Sequence, residues 1–140
     1  MKKVVVLMAV IAIFGLGACH SKQEPAKQET VDIHNSETSL DWEGVYTGTI
    51  PSASGSGINV RLKIGADEKF ELNYEYVGKP DTFTWTGSFK WDDAGSIIIL
   101  DKEDIPHYYK VAENKLIQFD MEGKEITGSL ADDYILKKEQ

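Results

Sequence analysis

From Trp42 onward, apolar and polar residues alternate with a period of two. Ile58, Val60, Leu62 and Ile64 are separated by Asn59, Arg61 and Lys63, and Phe70, Leu72, Tyr74 and Tyr76 by Glu71, Asn73 and Glu75. Phe83, Trp85, Phe89 and Trp91 share one parity, with Gly87 among them, against Thr82, Thr84, Thr86, Ser88 and Lys90. Successive side chains of a strand point to opposite faces, so this pattern predicts strands with one dry face and one wet face. Shorter strands are predicted over 45–50, 96–100, 108–112, 115–120 and 134–138, and a helical turn around Leu130 to Asp133.

Turn-forming residues separate these runs: Gly65-Ala66-Asp67, Gly78-Lys79-Pro80-Asp81, Asp92-Asp93-Ala94-Gly95 and Glu122-Gly123-Lys124. Each tolerates backbone conformations that β-branched residues resist. Short connections between consecutive strands imply an antiparallel meander. About eight strands with one dry face each predict an all-β fold, closed or nearly closed into a small barrel, because a flat meander would leave two long edges unpaired. The aromatic parity of Phe83, Trp85, Phe89 and Trp91 then suits two roles: filling the interior, or lining space for a small hydrophobic ligand.

The first forty residues follow another pattern. Lys2-Lys3 precedes an apolar run from Val4 to Leu16 and then Gly17-Ala18-Cys19, the layout of a secretory signal peptide over residues 1–18. The run is shorter than the ~20 residues a helix needs to cross a bilayer. Leu16-Gly17-Ala18-Cys19 looks like a bacterial lipobox, which makes Cys19 the expected lipidation site and first mature residue. As the only cysteine, it leaves no disulfide partner within the chain. Two or three acyl chains hold a protein to a membrane far better than one. Residues 19–40 are polar, contain Pro25 and lack periodicity, so they read as a disordered tether to a domain spanning 41–140.

Composition narrows the partners. The chain of 140 residues carries a formal charge of −8, and removal of Lys2 and Lys3 with the leader takes it to about −10. Such a surface repels phosphate backbones and anionic headgroups, which argues against nucleic acid and leaves membrane attachment to the lipid.

No chemical motif survives inspection. Pro51-Ser52-Ala53-Ser54-Gly55-Ser56-Gly57 lacks the Gly-x-Ser-x-Gly spacing of a nucleophile elbow, the third glycine of a dinucleotide loop and the Gly-Lys-Ser/Thr of a P-loop. His20, His34, His107 and Met121 do not fall at the spacing of a preformed metal site. Asp92-Asp93, Glu103-Asp104 and Asp132-Asp133 read as solvated turns. His107, Tyr108 and Tyr109 form a polar group without an assigned role. The expectation is a non-enzymatic protein with no cofactor and no metal.

The segments Trp42–Lys79, Thr84–Asp101 and Tyr108–Lys138 resemble the N-terminal domain of the NlpE family of outer-membrane lipoproteins, associated with copper resistance and envelope stress. The resemblance is carried by Gly44-x-Tyr46-x-Gly48, Pro51, Gly57-Ile58, Gly87-x-Phe89, Asp92-x-x-Gly95-x-Ile97 and Glu113-Asn114-Lys115-Leu116, together with the lipobox. It implies a lipocalin-like antiparallel barrel, a lipid-anchored place at the outer membrane, supported by His20 in the position where Asp marks retention, and a partner such as a stress sensor. Family members typically carry Pro-Cys-x-x-Cys-x-Gly where this chain has Ser52 and Gly55, which supply no thiolate for copper(I). The resemblance also implies a second, oligonucleotide-fold-like domain in longer members, so this chain is expected to be a single-domain member.

Overall fold

The computed structural model describes residues 34–53 and 55–140. Eight strands run β1 Gly44–Ile50, β2 Ile58–Ile64, β3 Lys69–Tyr76, β4 Thr82–Trp91, β5 Ile97–Leu100, β6 Tyr108–Ala112, β7 Lys115–Gln118 and β8 Ile135–Lys138. A 3-10 turn at Ala131–Tyr134 leads into β8, where the sequence predicts a helical turn. Each strand is antiparallel to the next, and β8 returns to β1 through Tyr46↔Lys138 and Thr47↔Lys137, closing the barrel. Closure removes the two edges that an open meander would expose.

The period-two pattern becomes the inside and the outside of the wall. Register pairs Val60 with Tyr74 and Leu62 with Leu72 across β2 and β3, and Ile98 with Tyr109 across β5 and β6. Tyr46, Leu62, Leu72, Ile98, Tyr109, Leu116 and Leu136 are fully buried and fill the barrel axis. Outside, Thr49 donates to Asn59 Oδ1 (2.8 Å), Thr84 to Asn73 Oδ1 (2.7 Å) and Asn73 to Glu71 Oε1 (3.0 Å). The first two of these bonds join neighbouring strands and the third runs along β3, and together they stabilise a wetted sheet surface.

The two ends differ. At one, turns at 65–68, 92–96 and 113–114 are tight. The other carries the longer connections 51–57, 77–81, 101–107 and 119–134. A helical turn, α1 (Ser36–Ser39), packs at the tight end, where the sequence pattern predicts only tether. Asn35 caps it by accepting from Thr38 N–H (3.0 Å), Glu37 N–H donates to Gly95 O (3.0 Å), and Ser36 Oγ donates to Val111 O (2.7 Å). These contacts tie residues 35–39 to the barrel. Four polar residues have no helical periodicity, and only barrel contacts order them. Trp42 continues the plug: Nε1 donates to Glu37 O (3.0 Å), its ring meets Phe89 and Trp91 edge-on, and its carbonyl accepts from Tyr46 Oη (2.7 Å).

Burial, with Asp41 adding to it, pushes the Tyr46 hydroxyl up to about 12, and burial does the same to Tyr74. Tyrosine in the unfolded chain ionises near 10, so the neutral folded form contributes stability that is intact below pH 10 and lost as pH rises through about 12. The urea midpoint should therefore fall between about pH 9 and about pH 11, less steeply in Tyr74→Phe. At neutral pH the two hydroxyls differ. Tyr74 Oη is buried with no well-formed hydrogen bond among the described residues, the Tyr109 hydroxyl being its polar neighbour, so Tyr74→Phe should be close to neutral. Tyr46→Phe should cost about 1 kcal/mol because it strands the Trp42 carbonyl. Equilibrium denaturation of both variants checks the contrast.

Candidate functional site

The long-loop end gathers the features left over from core building. Among the described residues, large apolar side chains remain exposed at three places, Phe83 (48%), Met121 (46%) and Leu130 (53%). All three lie on strands or connections at this end. Phe83 stacks on Trp85 (ring centroids 6.0 Å, 21° between planes) and meets Tyr76 edge-on (5.9 Å), while Trp85 meets Tyr74 edge-on (5.2 Å). Lys79 sits 6.0 Å from the centre of the Tyr76 ring, within cation–π range.

The four aromatic residues predicted to share the interior are thus divided. Phe89 is core, 4% exposed. Trp91 is half-buried and braces Trp42 at the plugged end. Trp85 is half-buried over Tyr74, and Phe83 stands outside. The expectation that all four line the interior fails at Phe83 for a geometric reason. β4 pairs with β3 from Thr82 to Ser88 but with β5 only from Phe89 to Trp91. Before Gly87, the inner face of β4 therefore has a neighbour on one side only. A Cβ at Gly87 would collide with the Asp101 carboxylate and approach Phe70 Cε1 to 3.0 Å, so glycine occupies the corner where the strand changes neighbours.

The loop over 51–57 forms the rim beside this cluster, joined to it by Val77 N–H donating to Gly57 O (3.1 Å). Gly57 has φ +111°, and a Cβ there would stand 2.9 Å from Thr49 Cγ2 and 3.0 Å from Ile50 O. The position thus requires glycine. Ser52, Gly55 and Gly57 line one open depression of about 310 Å³ with Asp133 from the turn before β8. The depression brings together Ser52 and Gly55, the two positions at which the resemblance implies a cysteine pair; a side chain at Gly55 would meet nothing within 4 Å.

The polar group at 107–109 separates as well. His107 is buried, with Nδ1 2.7 Å from Ile105 O and its ring 4.3 Å from that of Tyr108. Tyr109 points into the core, where its hydroxyl donates to Pro106 O (3.2 Å) and burial raises its pKa well above the ordinary value. Gln118 Oε1, on the strand paired with Tyr109, is buried and unpartnered among the described residues; the sequence reading did not single it out, since an alternating Gln reads as outward polar. No cluster of three or more His, Cys, Asp or Glu able to hold a metal occurs among the described residues. Cys19, the signal sequence and most of the tether lie outside them.

A small closed antiparallel barrel, plugged at one end by the segment before β1 and rimmed by long loops at the other, is the class of protein these features define. Residues 46–129 match the NlpE N-terminal domain, and the chain belongs to that family of envelope lipoproteins. Lipoprotein NlpE of Escherichia coli K12 is 26% identical over 128 residues, covering 89% of this chain. The chain spans about half (52%) of that relative's length. A candidate lipoprotein from Shewanella oneidensis, solved by crystallography, is 46% identical with a TM-score of 0.68, over 75% of this chain and 95% of that one. The crystal structure of the Escherichia coli Cpx pathway activator NlpE shares the fold at 24% identity and a TM-score of 0.51, over 61% of this chain and 46% of that one.

The open ground around Gly55 makes the loop testable. Ser52→Cys with Gly55→Cys should fold as the parent and gain tight binding of one thiophilic ion such as copper(I), because two thiolates then share one depression. Competition with a chromogenic copper(I) chelator should show uptake by the double variant and none at this loop in the parent.

Proposed function

We propose that this chain is a non-enzymatic, lipid-anchored protein of the outer membrane whose barrel engages another envelope protein in stress signalling. The observation that carries this reading is the concentration of exposed apolar side chains, Phe83, Met121 and Leu130, at the end opposite the plug. Exposed apolar groups on an otherwise acidic, polar wall mark a contact surface. The Escherichia coli relative's standing as a Cpx pathway activator supports stress signalling as the context. The Ser52 and Gly55 loop gives no support to a direct copper role, since hydroxyl and hydrogen replace the thiolates that copper(I) prefers.

A small hydrophobic ligand inside the barrel was the competing expectation. Tyr46, Leu62, Leu72, Tyr109 and Leu116 occupy the axis, which leaves that reading only the partly exposed Trp85 and Phe83 at the rim.

Two measurements test the reading. Cys19→Ser should move the chain from the membrane fraction to the soluble fraction, and mass analysis of the mature parent should show acyl chains on Cys19. A photoreactive residue at Leu130 should crosslink to a distinct envelope protein, whereas one at Ala66, at the plugged end, should not. Persistence of Cys19→Ser in the membrane removes the anchor, and no adduct from Leu130 removes the interaction surface.

A further inference from the structure

The side of β4 that faces away from β3 is an unpaired sheet edge. In the β3–β4 ladder, Phe89 N–H donates to Glu68 O (2.9 Å) and Tyr76 N–H to Asp81 O (3.3 Å). Antiparallel pairing alternates, so Phe83, Trp85 and Gly87 direct their backbone groups to β3, and Thr82, Thr84 and Thr86 direct theirs outward. Ser88, next in that outward series, is already bonded: its carbonyl accepts from Asp101 N–H (2.9 Å). Beyond it, the N–H and C=O groups of Thr82, Thr84 and Thr86 meet no partner among the described residues, and all three residues are exposed. Proteins ordinarily blunt such an edge with a charge, a proline or a bulge. Thr82-Phe83-Thr84-Trp85-Thr86-Gly87 carries none of these, within a chain of formal charge −8.

We infer that this edge pairs with the same edge of a second copy, making an isologous dimer through β4. The segment is complementary to itself about Thr84. An antiparallel pair with its twofold axis at Thr84 sets Thr84 opposite Thr84, and Thr82 opposite Thr86. These are the residues whose backbone groups are free, so each outward donor meets an outward acceptor. In the same register Phe83 faces Trp85 of the second copy on the inner face, at the closer spacing of a non-hydrogen-bonded pair, where aromatic contacts are strongest. The outer face pairs threonine with threonine. No charge is brought against a like charge along the segment, which matters for two acidic molecules. A closed twofold contact of this kind also consumes the edge, so it stops at two copies. This inference does not depend on the lipid; it shares Phe83 with the proposed contact surface, while Met121 and Leu130 take no part in the pairing.

Disulfide trapping in the full chain, expressed in a bacterial envelope and mildly oxidised, tests the register. Across a hydrogen-bonded antiparallel pair, residue 84 lies ~5.5 Å from its counterpart between Cα atoms, within disulfide reach. Residue 86 lies ~13 Å from its own counterpart, beyond that reach. Thr84→Cys should give a species of twice the chain mass, at least about tenfold above both Thr86→Cys and the parent that carries Cys19 alone. Adding Thr82→Pro to Thr84→Cys removes one interchain donor from each copy at the start of the strand, where proline is tolerated, and should weaken dimerisation about tenfold. The inference is overturned by a Thr84→Cys yield no higher than the parent, by equal yields at 84 and 86, by indifference to Thr82→Pro, or by an adduct of another mass, which would assign the edge to a foreign strand.

Discussion

Pairing of β8 with β1 closes the barrel, and within its wall one strand serves two neighbours in succession. β4 is the longest element, 10 residues, and it gives its first part to β3 and its last part to β5, with Gly87 at the change-over. Every other strand is flanked on both sides around the closed part of the wall. Hydrogen-bonded closure leaves each strand one inner face, and the side chains there pack to full burial from Tyr46 round to Leu136. Ahead of the change-over the same parity finds no opposing wall. Phe89 is therefore core while Phe83, on the same face of the same strand, is a surface group.

The ends of the barrel divide its work. Tight turns and the α1–Trp42 plug seal one end, with Lys138 Nζ held by the carbonyl (2.7 Å) and carboxylate (3.1 Å) of Asp41 across the seam. Long connections are left for the other end. The loop over 51–57 lies on that rim, constrained at Gly57 and open at Gly55. The domain keeps the scaffold of its family.

The outer wall carries mostly polar and charged groups, linked in cross-strand pairs such as Arg61 with Glu71 (3.8 Å), which are exposed and contribute little individually. Their effect is collective: an acidic, wetted surface discourages indiscriminate association. Against that background a short uncharged edge and three exposed apolar side chains stand out as places where association is permitted. Both lie toward the long-loop end of the barrel.

Strand positions were legible in the sequence because alternation is a local signal. The predicted ends of β1 to β8 fall within about two residues of the observed ones, and the turn before β8 is where the sequence places it. Family membership was legible from glycine, proline and aromatic spacing, since those residues mark turns and close approaches that many side chains cannot replace. The ordered Asn35–Leu40 segment was not, because its contacts are with Gly95 and Val111, far away in the chain. Nor was the sorting of Phe83, Trp85, Phe89 and Trp91, which have one parity and four different surroundings. Gathering Ser52 and Gly55 with Asp133 likewise required the barrel to close. Periodicity states which face a residue is on; how much wall stands opposite that face is a property of the closed sheet alone.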